Sequence, residues 1–97
     1  MFNQKKKKEV KLAATKAIEW LEERIKQVDK GLIWIDSVEV EPGNFIMVDD
    51  LEMIRECVLF IKKAWFISSM REYMDMIPDF YFDLKTPVFR DLREALF

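Results

Sequence analysis

The sequence predicts a single α+β domain over residues 1–97, mainly α: an N-terminal helix, a β-hairpin, a long central helix and a short C-terminal helix. An all-α helical bundle is the alternative. Three observations carry this expectation. Apolar residues recur at spacings of three and four along both halves of the chain. Between them lies a run of β-favouring residues broken by Pro42-Gly43. The chain holds only two Gly and three Pro in 97 residues, which favours long regular elements.

The first helix is predicted over 6–29. Val10, Ala14, Ala17, Ile18, Leu21, Ile25 and Val28 fall on one stripe, with Thr15, Glu22, Glu23 and Lys26 opposite. Lys26 and Lys30 suit the negative end of the helix dipole, and Gly31 suits the position just past the end.

Residues 32–48 change character. Leu32 to Ile35, Val38 to Val40 and Phe45 to Val48 favour strands, and Pro42-Gly43 favours a turn. A tight L-Pro-Gly turn twists against a two-residue hairpin. A looser turn with Asn44 in the left-handed region is therefore expected.

The central helix is expected from Asp50 to about Met76, where Pro78 stops it. Asp49 can cap it, with Glu52 at the third position and Val48 packing on Met53. Its pattern is unusual. Leu51, Ile54, Val58, Ile61 and Trp65 form one apolar stripe. Met53, Cys57, Phe60, Ala64 and Ile67 form a second, nearly opposite. A helix apolar on two sides is buried on two sides. After it, Phe80 to Phe82 are expected as a short strand, and a last helix begins with Thr86 as cap and Pro87 at its first position.

Composition bounds the function. The apolar fraction is 51% and the aromatic fraction 13%, enough to drive folding. Residues 1–30 carry nine basic and five acidic side chains, whereas 31–97 carry seven and thirteen. Such polarity suits electrostatic encounter with a partner or a second copy. No segment approaches the ~18 apolar residues of a membrane span, and no secretory leader is visible. The single Cys57 allows no internal disulfide, which points to a reducing compartment, the cytoplasm.

Chemistry is sparse. With no His, neither an imidazole base nor an imidazole ligand exists. Cys57 sits on an apolar stripe without a base and is expected to be an inert thiol. No catalytic residue, metal ligand or cofactor is expected. One alternative uses the i,i+3 pairs Glu19–Glu22 and Glu72–Asp75 as Mg²⁺ ligands of a nucleotide hydrolase. Another places nucleic acid on Lys5 to Lys8, although a pI near 5.2 opposes it.

The sharper signal is surplus aromatic and Met side chains, which are enriched in interface cores. A non-enzymatic protein-interaction module is therefore expected, acting as a homodimer or as a small inhibitor or adaptor of a larger protein. Viral and mobile-element regulators are often of this size. The expected interface residues are Met53, Phe60, Ile67, Met70, Tyr73, Phe80, Tyr81 and Phe82. No membrane partner is expected.

Overall fold

The computed structural model describes residues 4–28 and 37–97. Helix α1 spans Gln4–Val28, strand β1 Ser37–Glu41 and strand β2 Asn44–Met47. Helix α2 follows at Val48–Lys63, helix α3 at Ile67–Met74, a 3₁₀ turn at Asp79–Asp83, and helix α4 at Val88–Leu96. The fold is α+β and mainly helical. The expected Leu32–Ile35 strand, the Lys30 and Gly31 end signals and Trp34 lie outside the described residues.

Helix α1 is the spine. Its stripe of Val10, Ala14, Ala17, Ile18 and Leu21 is buried, and it packs against both α2 and α4. Ala at three contact positions lets neighbouring backbones come close, while Trp20 fills the wider gap toward α4 through Phe89, 5.6 Å away edge to face. Leu51, Ile54, Val58 and Ile61 supply the facing stripe of α2. Phe89, Leu92 and Leu96 supply that of α4. Among the described residues no charged, amide or Ser/Thr side chain is buried, and Trp20 and Tyr81 carry the polar atoms that are.

The hairpin is antiparallel, with Val38 opposite Ile46 and Glu39 opposite Phe45. Val38, Val40 and Ile46 face inward, and β1 packs on α1. Gly43, at φ 78°, takes the left-handed position, and no other described residue has a positive φ. Asn44 therefore does not, contrary to expectation; it already belongs to β2. This φ suits the third position of a type II turn. The twist mismatch of such a turn is absorbed by a bulge at Val40, since Glu41 rather than Val40 pairs with Asn44. The Glu39 carboxylate accepts the Gly43 N–H at 3.1 Å.

Four further expectations are corrected. Asp49 does not cap α2. The helix begins two residues earlier, at Val48, and Asp49 and Asp50 lie in its first turn beside the positive end of the dipole. The central helix is not continuous: it ends at Lys63, and Ala64 to Phe66 leave helical geometry before α3. Phe80 to Phe82 form a 3₁₀ turn instead of a strand. Pro87 rather than Thr86 takes the cap position of α4.

The break between α2 and α3 contains neither Gly nor Pro. Packing explains it. The bend lets Met70 and Met74 close the core beside Ile77, and it turns Trp65 out. Burying those flexible side chains outweighs helix propensity, a weak preference. The Ala64 N–H still donates to the Phe60 and Ile61 carbonyls, so two carbonyls of the last turn keep a partner across the break.

Candidate interaction surface

The two stripes of α2 have opposite fates. Leu51, Val58 and Ile61 are wholly buried and Ile54 nearly so. On the other side Met53 is 62% and Phe60 49% exposed, with Cys57, Ala64 and Ile67 half-buried between and beyond them. Helical spacing places Met53, Cys57 and Phe60 on one line. Tyr73 of α3 extends it, its ring stacked on Phe60 with centroids 5.1 Å apart and planes 19° from parallel. The result is a firm apolar ridge held by α2 and α3.

Charge is ordered along that ridge. Asp49, Glu52 and Glu56 are exposed on the first half of α2, and Lys63 on its last turn. Burial, and secondarily the Glu56 charge, pushes the Cys57 thiol up from its ordinary value. The thiol is thus less ionised and less nucleophilic than a free cysteine.

Of the eight expected interface residues, Met53, Phe60 and Phe80 are exposed, and Ile67 and Tyr73 half-exposed. Met70, Tyr81 and Phe82 are not available to a partner: all three are buried in the chain's own core. Met70 turns inward because α3 restarts the helical phase after the break. Tyr81 packs on Phe89 at 5.1 Å, and Phe82 lies under the Arg93 guanidinium at 4.1 Å. Trp65 moves the other way. Expected on the buried stripe, it is 81% exposed, and the neighbouring Phe66 is 70% exposed. The Ser68-Ser69 pair, favourable near a helix start, was the one local hint of this break.

Two of the clefts among the described residues lie beside or beyond the ends of the ridge. One, of about 540 Å³, is lined by Met74, Ile77, Phe82 and Phe97 with Asp75, Asp79, Arg93 and Glu94. The other, of about 420 Å³, is lined by Gln4, Lys7, Lys8, Lys11, Lys63, Ala64 and Trp65. The carboxylates weighed as Mg²⁺ ligands do not converge: among the described residues no three acidic or Cys side chains are grouped to hold an ion. Among the same residues no helix is long and apolar enough to cross a membrane. No protein-family model, curated protein or solved structure matches this chain.

Proposed function

We propose that this chain is a protein-interaction module that acts by binding and assembles as a homodimer through the outer ridge of α2. The observation that carries the reading is the split of the central helix. One apolar stripe is spent on the core, while Met53 and Phe60 remain uncovered on the other. Exposed apolar ridges with aromatic and Met side chains suit interface centres.

The ridge is self-complementary. In an antiparallel arrangement about a two-fold axis near Cys57, Met53 of one copy meets Phe60 of the other, and each contact occurs twice. The same arrangement sets Asp49 and Glu52 of one copy toward Lys63 of the other. A parallel arrangement would instead align like charges, which disfavours it.

Light scattering on the purified chain tests this. The expected mass is twice the 11.7 kDa of one chain. A single-chain mass at concentrations of about 100 μM, well above a micromolar Kd, removes the homodimer and leaves the ridge to a different protein.

A further inference from the structure

We propose that the tip formed by the start of α1 and the α2–α3 break binds the surface of an anionic lipid bilayer. Trp65 and Phe66 enter the headgroup region while Lys7, Lys8 and Lys11 of α1 face lipid phosphates, with Lys63, which the proposed dimer also uses, at the edge of the same cleft. The tip is distinct from the Met53–Phe60 ridge and requires neither a spanning helix nor a helix lying on the membrane.

The charge comes from two elements. Helix α1 brings Lys7, Lys8 and Lys11, and the last turn of α2 brings Lys63, around one open cleft of about 420 Å³. No described carboxylate lines it. Glu9 is exposed next to Lys8 on α1 and Glu56 lies seven residues before Lys63, while the other acids of α2, Asp49, Asp50 and Glu52, sit at the far end of that 16-residue helix. That end is roughly 20 Å away at about 1.5 Å per residue, beyond the ~8 Å screening length of physiological salt. The lysines therefore keep their attraction for an anionic surface although the whole chain carries −2. Within a single chain the same separation turns the basic tip toward the bilayer and Asp49, Asp50 and Glu52 away from it.

The aromatic pair decides between anionic partners. Trp65 lines the cleft, and Phe66 follows it in non-helical backbone outside the cleft lining; the two are 81% and 70% exposed. Single-stranded nucleic acid is held by several rings that stack successive bases along a basic groove, whereas one ring alone, Trp65, lines this cleft. Exposed Trp and Phe beside lysines instead match the interfacial region of a bilayer, where amphipathic rings and basic side chains both settle. The apolar stripe of α1 is buried in the core, so α1 itself cannot lie on the membrane.

Flotation of the full chain with phosphatidylcholine vesicles containing about 30 mol% phosphatidylserine, beside vesicles of phosphatidylcholine alone, tests the proposal. The expected result is binding to the anionic vesicles only, weakening with added salt. Trp65→Ser with Phe66→Ser lowers partitioning at least tenfold, on the order expected for losing two interfacial rings. Lys8→Gln with Lys11→Gln, at exposed positions, lowers it by roughly 25-fold, about fivefold for each lysine near the surface. Equal binding to both vesicle types, or partitioning unchanged in both double variants, overturns the proposal. So does binding of a single-stranded oligonucleotide that depends on Trp65 when vesicles fail to bind. Phe60→Asp, which addresses the ridge, leaves vesicle binding by each chain in place.

Discussion

At the scale of single residues, burial separates side chains that look alike in the sequence. Tyr81 and Phe80 are neighbours with ring centroids 4.3 Å apart, yet Tyr81 is 1% and Phe80 42% exposed. The Tyr81 hydroxyl and the Trp20 Nε1 are both buried without a hydrogen-bond partner among the described residues. Leaving a buried hydroxyl unpaired costs about 1–3 kcal/mol, so Tyr81→Phe is predicted to be neutral or to stabilise in urea melts. The hydroxyl also makes stability depend on alkaline pH. Burial, with Asp50 contributing second, raises its pKa well above the ordinary value. An unfolded tyrosine ionises near pH 10, where the folded one keeps its proton. Stability therefore falls as pH rises past that point, and Tyr81→Phe loses less of it. Ile61→Ala is predicted to cost about 2–5 kcal/mol through the cavity it leaves, whereas Phe66→Ala stays within about 0.5 kcal/mol. That α2 carries two apolar stripes was legible in the sequence from their spacing. Which of its two stripes faces out was not, because Met53 and Ile54 differ in the surroundings they meet rather than in hydrophobicity.

At the scale of elements, local rules served where local forces decide. The 3.6-residue period located the start of α1 to within two residues, and Pro42-Gly43 located the hairpin. The bulge at Val40 escaped because it resolves a conflict between turn and strand twist that no single residue announces. Gly43 carries the turn. A Cβ there meets nothing within 4 Å, so the cost of substitution is backbone strain alone. Gly43→Ala is predicted to destabilise by about 1 kcal/mol, a melting point roughly 4–8 °C lower by calorimetry. The α2–α3 break is the clearest case of tertiary packing overriding a local pattern. Apart from Ser68-Ser69, residues 50–76 satisfy helical rules, yet the helix stops after Lys63 and Met70 and Met74 are buried in the core. The hairpin is held from outside as well, since the Glu41 carboxylate accepts the Lys85 backbone N–H from the segment before α4.

At the scale of the whole molecule, the core is apolar and the charges play little part in holding it. The only ion pair among the described residues joins Arg24 to the adjacent Glu23 at 3.4 Å, on the surface, where such pairs are worth little. Charge instead distinguishes the two ends of α2, the feature that orients both the proposed dimer and the proposed membrane contact. The uneven distribution was plain in the sequence. Its convergence with Trp65 was not, because lysines at 7–11 and 63 meet only once α1 and α2 pack antiparallel. The proposed dimer rests on the outer ridge being dispensable for folding and required for assembly. Sedimentation equilibrium of Phe60→Asp beside Ile54→Asp, with circular dichroism on the same samples, separates those roles. Ile54→Asp buries an unpaired charge and is predicted to unfold, whereas Phe60→Asp keeps its helices and sediments as one chain from a dimeric parent. A Phe60→Asp chain that unfolds, or one that stays folded and still sediments as a dimer, would contradict the account.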